Sequence, residues 1–137
     1  MLSKPELILA IESSCDDTAA AVLSDRKVLS NCIANQTIHQ AYGGVVPELA
    51  SRAHQSKIIP VVDQALVQAN IDKNELTAIA YTQGPGLLGS LLVGSAFAKS
   101  LALSVNLRLI PINHMQGHLL VHFIEEEGIA TPHFPFL

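Results

Sequence analysis

Two histidines, His114 and His118, have the residue type and spacing best suited to chemistry in this chain. They stand four positions apart, about one helical turn, so both imidazoles would leave the same helix face with Cβ atoms about 5–6 Å apart. Two ring nitrogens at that separation can hold one metal ion, with further ligands from elsewhere. The spacing alone favours a second interpretation, a pair of hydrogen-bonded histidines at a helix start. His39 and His54 flank a glycine loop, and either could contact a ligand, although histidines on a loop or helix are commonly solvated.

A second group of polar residues follows the first apolar run, where three carboxylates stand among small hydroxyl residues. Carboxylates at the end of a buried strand can hold a cation or position water near a phosphate. Glu12 and Asp16 are therefore catalytic candidates, and Ser13, whose small side chain allows a ligand to approach the backbone, is a substrate-binding candidate. The alternative is a polar β-turn with solvated acids.

The segment Gly84-Pro-Gly-Leu-Leu-Gly89 has the pattern G-x-G-x-x-G between a predicted strand and a predicted helix. Free N–H groups at a helix N-terminus can bind an anion, which makes Gly84 and Gly86 substrate-binding candidates. A nicotinamide site is disfavoured, because the strand is the fourth and the next one ends without the acidic residue that binds the ribose. A tight strand-to-helix turn without a ligand is the alternative, and it is slightly favoured.

Hydrophobic periodicity predicts five strands and three helices in the order β-β-β-α-β-α-β-α. Such an order implies an α/β fold with a mixed five-stranded sheet, as in a ribonuclease H-like lobe of the actin/Hsp70/sugar-kinase (ASKHA) fold. In the second helix, small residues spaced by four indicate close approach of another backbone, either the sheet or a partner's helix. The predicted strands are Leu7–Ile11, Thr18–Leu23, Val28–Ala34, Thr77–Thr82 and Arg108–Ile112; the helices are Pro47–Asn70, kinked or split at Pro60, Leu87–Ser104 and His114–Glu127; the small residues are Ser90, Gly94, Ala98 and Ala102.

Composition excludes several classes of protein. The net charge is −4 and the basic residues are scattered, which gives no support for autonomous nucleic-acid binding. The uncharged stretch from Leu76 to Ala98 is interrupted by Gln83-Gly-Pro-Gly86, so it does not predict a membrane span. Cys15 and Cys32 lack zinc spacing and the chain begins with a short polar segment, which together favour reduced thiols and a cytoplasmic location.

The last residues are apolar and resemble the approach to a further strand. We therefore expect the chain to be the front part of a longer protein, with residues 1–127 as an N-terminal lobe and 128–137 as the start of a second lobe. An isolated lobe would expose apolar surface and self-associate.

Four motifs occur in order along the chain: Glu12–Thr18, Tyr42–His54, Gly84–Ser90 with Leu92–Gly94, and Asn113–His118. Together they resemble the motifs of the TsaD family, earlier named Gcp or O-sialoglycoprotein endopeptidase. The resemblance extends from about residue 7 to 137 and implies the two-lobed actin/Hsp70-like fold.

The resemblance implies transfer of a threonylcarbamoyl group from threonylcarbamoyl-adenylate to the adenosine beside the anticodon of tRNAs that read ANN codons. It implies one divalent metal, iron or zinc, on His114 and His118, with an aspartate ligand and the main substrate loop beyond Leu137; the chain alone is then expected to be inactive. The partners would be TsaB, with TsaE, bound through the small-residue row and the helix Pro47–Asn70. One alternative is a non-catalytic TsaB-like module, which lacks the histidine pair. Another is a metallopeptidase, although Met115 stands where zincins have Glu.

Overall fold

Five strands form one sheet in the order β3-β2-β1-β4-β5 in the computed structural model, which describes residues 5–134. The first three strands are antiparallel neighbours, and β4 and β5 continue parallel to β1, because helical crossovers precede them. The predicted mixed five-stranded sheet is confirmed. The elements are β1 Leu7–Glu12, β2 Thr18–Ser24, β3 Lys27–Ala34, α1 Pro47–Ala69, β4 Ala78–Gly84, α2 Leu88–Ser104, β5 Arg108–Asn113 and α3 His114–Leu120, with 3₁₀ turns at Thr37–Tyr42, Lys73–Glu75 and Val121–Phe123.

Helices α1 and α2 pack on the same face of the sheet, and the core lies between them and the strands. Strand β1 shows the reason, because Leu7, Leu9 and Ile11 alternate with residues on the other face and all three are buried. Helix α1 runs without interruption past Pro60, so of the two predicted effects of this proline, a kink or a split, the split is wrong. Pro60 and Ser56 are both exposed, so solvent can reach the turn where the proline removes a backbone hydrogen bond.

The row of small residues on α2 is buried along its whole length, so its predicted place on a partner-binding surface is wrong. A Cβ atom at Gly94 would overlap the Ser13 hydroxyl, just beyond the end of β1. Glycine and other small residues therefore let α2 lie close to the sheet, which is the first of the two alternatives that the spacing left open.

Helix α3 ends at Leu120, seven residues before its predicted end, and the chain from Ile124 to Phe134 is not helical. Three consecutive glutamates at 125–127 would oppose the dipole at a helix C-terminus. Helix α3 also buries none of its residues, so tertiary packing does not extend it. Residues 135–137 lie outside the described part, and the start of a second lobe remains a prediction.

No helix within residues 5–134 is long and apolar enough to cross a membrane. The sheet face opposite α1 and α2 holds a shallow cavity of about 200 Å³, lined mainly by alanines of β1, β2 and β4. Three residues, Glu12, Thr82 and Ile112, line both this cavity and a second cavity that contains the histidine pair. The two cavities therefore meet at the edge of the sheet where the predicted site residues lie.

Candidate functional site

The carboxyl ends of β1, β4 and β5 meet at one edge of the sheet, because these three strands are parallel. Glu12 is the last residue of β1, Thr82 lies near the end of β4, and His114 follows β5. The Thr82 hydroxyl donates to the Glu12 carboxylate, whose Oε2 lies 3.3 Å from His114 Nδ1. Sequence-predicted residues from separate motifs are thus brought together around a cavity of about 240 Å³.

The histidine pair stands on α3, which begins where Asn113 caps it. The Asn113 side-chain oxygen accepts hydrogen bonds from the N–H groups of Met115 (2.9 Å) and Gln116 (3.2 Å), and so satisfies donors that the helix leaves free. The spacing of four residues then directs both imidazoles to one point, with the Nε2 atoms of His114 and His118 3.0 Å apart. The predicted shared face of the two rings is therefore present.

This separation fits a pair of nitrogens that share one ion. Two nitrogens at about 2.0–2.1 Å from one metal, with about 90–110° between the bonds, lie about 2.8–3.4 Å apart. No cluster of three or more His, Cys, Asp or Glu side chains suited to a metal occurs in residues 5–134. Glu12 does not complete the pair, because it contacts Nδ1 of His114, away from the shared point.

The Glu12 side chain is a hydrogen-bond acceptor on both oxygens. Burial raises the pKa of Glu12, but hydrogen bonds from Ser14, Thr82 and His114 outweigh this effect, and the pKa lies below its ordinary value. Glu12 is therefore a carboxylate at neutral pH. Its Oε1 accepts the N–H of Ser14, and its Oε2 accepts the Thr82 hydroxyl.

The loop after Glu12 is held by α2. The Ser13 hydroxyl donates to Ser90 O (2.8 Å), the Ser90 hydroxyl donates to Cys15 O (3.0 Å), and the N–H of Leu87 donates to Ser14 O (2.8 Å). A Cβ atom at Gly86 would lie 2.5 Å from Ser14 O, so packing against this loop requires glycine there.

Packing within the chain also explains the residues of this loop and of the glycine turn that were predicted to bind a ligand. Ser13 is 2 % exposed and hydrogen-bonded, so its hydroxyl is engaged within the chain. Burial and the neighbouring Asp16 raise the pKa of the Cys15 thiol, which makes it a poor nucleophile at neutral pH. Substrate contacts of Ser13, Gly84 and Gly86, and a catalytic role of Asp16, stay predictions.

His54 belongs to the support of the site, a role that the sequence interpretation missed. It is fully buried on α1, with Nε2 3.0 Å from Cys15 O and Nδ1 2.7 Å from Thr18 Oγ1. A carbonyl oxygen only accepts, so Nε2 carries the proton and the neutral ring accepts from the Thr18 hydroxyl. The signal was its spacing of four residues from Ala50 and Ile58, both buried on the same face of α1.

Replacing His54 by alanine is expected to lower the free energy of unfolding by about 2–5 kcal/mol. The change opens a cavity, leaves the buried Thr18 Oγ1 without its partner and removes one of the two hydrogen bonds to Cys15 O. Urea denaturation of the full-length protein measures the loss. Gln55→Ala, at the neighbouring exposed position, is the control and should change stability by less than about 0.5 kcal/mol. Equal midpoints for the two variants would contradict the role of His54.

Comparisons with known proteins agree with the four motifs. A sequence profile described as "TsaD: tRNA N6-adenosine threonylcarbamoyltransferase" matches residues 27–137. The tRNA N6-adenosine threonylcarbamoyltransferase of Christiangramia forsetii is 67 % identical over 130 residues, which cover 95 % of this chain and 38 % of that protein. The enzyme of the same name from Riemerella anatipestifer is 63 % identical over 134 residues, covering 98 % and 39 %. This chain thus spans a little over a third of the length of these relatives.

Solved structures share the fold at low sequence identity. YeaZ from Pseudomonas aeruginosa superposes with a TM-score of 0.63 at 18 % identity, over 79 % of this chain and 43 % of that one. RuvC of T. thermophilus, solved with a Holliday junction substrate, gives 0.50 at 9 % identity, over 83 % and 68 %. These likenesses confirm the predicted ribonuclease H-like architecture.

Proposed function

The chain belongs to the TsaD family of tRNA N6-adenosine threonylcarbamoyltransferases, and on this premise we propose that it provides the metal-holding lobe of such an enzyme. The reaction is transfer of the threonylcarbamoyl group from threonylcarbamoyl-adenylate to the adenosine beside the anticodon of tRNAs that read ANN codons, in the cytoplasm. The observation that carries the proposal is the 3.0 Å approach of the two Nε2 atoms at the sheet edge.

His114 and His118 would hold one iron or zinc ion, with an aspartate from the rest of the protein as third protein ligand. Such an ion, when bound, polarises the carbonyl that the adenine amine attacks. The chain's own residues prepare the site. Asn113 sets the start of α3 and hence the direction of both imidazoles. Thr82 fixes the Glu12 carboxylate beside the first of them.

The glycine turn and the loop after Glu12 form the other part of the proposed site. Gly86 and Leu87 lie against Ser14 O, and the N–H of the same Ser14 donates to the Glu12 carboxylate, so Ser14 joins the start of α2 to the carboxylate. We retain Ser13, Gly84 and Gly86 as substrate-binding residues through the main chain that they shape, and Asp16 as a residue of the phosphate end.

The function is tested by incorporation of labelled threonine into unmodified tRNA. The full-length protein is supplied with its partners, tRNA and preformed threonylcarbamoyl-adenylate, and the Christiangramia forsetii enzyme serves as reference. Absence of incorporation under conditions where the reference is active would contradict the proposed activity.

A TsaB-type partner, with TsaE, would bind the exposed faces of α1 and α2. The outward row on α2 contains Leu88, Leu92 and Leu103, which are 57–85 % exposed, and α1 presents Ile59 beside it. A groove between the two helices is lined by Ile59, Leu92 and Phe97 among others. Exposed apolar rows of this kind mark protein-binding surfaces. This outward row replaces the buried small residues as the proposed contact.

Leu92→Asp is expected to weaken binding of the TsaB-type partner by about 10–100-fold. An apolar side chain at the centre of an interface contributes about 1–3 kcal/mol, and a carboxylate there would be desolvated without a partner. Isothermal titration calorimetry with the full-length protein measures the affinity. Ser104→Asp adds the same charge at an exposed position near the end of α2 and should leave it unchanged. Equal affinities of the two variants would remove the outward row from the interface.

A further inference from the structure

We infer that Glu12 is a positioning residue, which fixes the tautomer and direction of the His114 imidazole so that Nε2 is presented to the site. The inference deepens the proposed function and rests on the metal-holding role of the histidine pair. It assigns Glu12 to the support of a ligand, in place of the catalytic role predicted from the sequence.

The contacts of Nδ1 on His114 determine which nitrogen carries the proton. Glu12 Oε2 lies 3.3 Å and Ser14 Oγ lies 3.2 Å from this atom. A carboxylate can only accept, so Nδ1 carries the proton and donates it toward Glu12. Nε2 of the neutral ring then carries no proton and presents its lone pair toward His118, which is the form that a metal ligand requires. Carboxylates behind ligand histidines act in this way at many metal sites.

The two histidines are therefore unequal before any ion binds. Because Nε2 of His114 has no proton, the 3.0 Å contact between the Nε2 atoms requires that His118 donates through its own Nε2. To hold an ion together with His114, His118 would need its proton on Nδ1, which it could reach by exchange with solvent while the ring stays neutral. His114 would already have the required tautomer, and only His118 would change.

The Glu12 carboxylate is itself held in one position by hydrogen bonds. Ser14 N–H and the Thr82 hydroxyl occupy its two oxygens. The adjoining Ser13 is tied to Ser90, and Cys15 is tied to His54 and Ser90. The carboxylate is therefore fixed relative to β4 and both long helices. Its contact with Nδ1 then fixes the orientation of the His114 ring.

The test compares Glu12→Gln with Glu6→Gln in the full-length protein. Glu6 lies just before β1, and its exposed ion pair with Arg108 is expected to contribute little, so the control loses the same charge next to the same strand. ¹⁵N–¹H correlation of the histidine rings in metal-free protein should show His114 with its proton on Nδ1 in the wild type and in Glu6→Gln. The Nδ1–H form should lose population in Glu12→Gln. Affinity for Zn²⁺, measured by competition with a chelator, should fall about 10–100-fold in Glu12→Gln alone.

The outcomes separate the inference from the proposed function. Unchanged zinc affinity and an unchanged His114 tautomer in Glu12→Gln would overturn the inference, as would a wild-type His114 protonated on Nε2. A wild-type protein that binds neither zinc nor ferrous iron would contradict the proposed function, and the tautomer would still decide the role of Glu12. Should Glu12→Gln fail to fold, Thr82→Val removes one support of the carboxylate without touching His114. That variant should lower zinc affinity by a smaller factor, and an unchanged affinity together with an unchanged tautomer would overturn the inference.

Discussion

Replacing His118 by alanine is expected to reduce bound metal in the full-length protein from about one ion per chain to a trace. The variant removes one of the two Nε2 atoms that lie 3.0 Å apart. The single imidazole that remains is not sufficient to hold the ion. Since polarisation of a carbonyl by a bound ion is worth several kcal/mol, threonine incorporation into tRNA should fall by about 10²–10⁴-fold. Elemental analysis and the incorporation assay measure the two effects.

His133→Ala is the matched control for this experiment. His133 is exposed and lies on the non-helical segment after α3. Its loss should leave both metal content and transfer as in the wild type. Full metal retention by the His118 variant would disprove the ligand assignment, and normal transfer without metal would disprove the role of the ion.

Gly94→Leu is expected to destabilise the protein by about 3 kcal/mol or more. The side chain would enter the space occupied by Ser13, so either α2 moves away from the sheet or the loop after Glu12 is displaced. A loss of this size is a large part of the stability of an ordinary domain, which is about 5–15 kcal/mol. The midpoint of urea denaturation of the full-length protein measures the loss.

Gly117→Leu makes the same replacement on α3, where a Cβ atom would meet no other atom within 4 Å. Its helix propensity gain of about 0.8–1 kcal/mol should leave stability unchanged or slightly raised. If both variants unfold at the same urea concentration, the close approach of α2 to Ser13 is not required.

The strands could be predicted closely, because short apolar runs separated by polar turns leave few other interpretations. The run at Leu7–Ile11 became β1 with one further residue, and that residue is Glu12. The mixed character of the sheet could also be predicted, since helical crossovers place β4 and β5 parallel to β1. The spacing of His114 and His118 was sufficient to predict their common helix face, because it depends on local geometry alone.

The remaining errors concern features that tertiary contacts decide. The small residues of α2 gave a periodic row, but its spacing does not say which neighbour approaches, and Ser13 proved to be that neighbour. His54 was judged by its residue type, whereas its place between buried residues of α1 decides its burial. The contact of Glu12 with His114 joins positions 102 residues apart and has no signature in the local sequence.

The hydrogen bonds of the loop after Glu12 cannot form until the ribosome has made partners that lie much later in the chain. Ser13 is synthesised 77 residues before Ser90, to whose carbonyl its hydroxyl donates a hydrogen bond, and Cys15 is made 39 residues before His54. At about 5–20 residues per second, Ser90 is added about 4–15 seconds after Ser13. The β1–β2 hairpin can form in that interval, but its connecting loop must wait for α1 and then α2. The part of the site that is translated first is thus among the last to acquire its final shape.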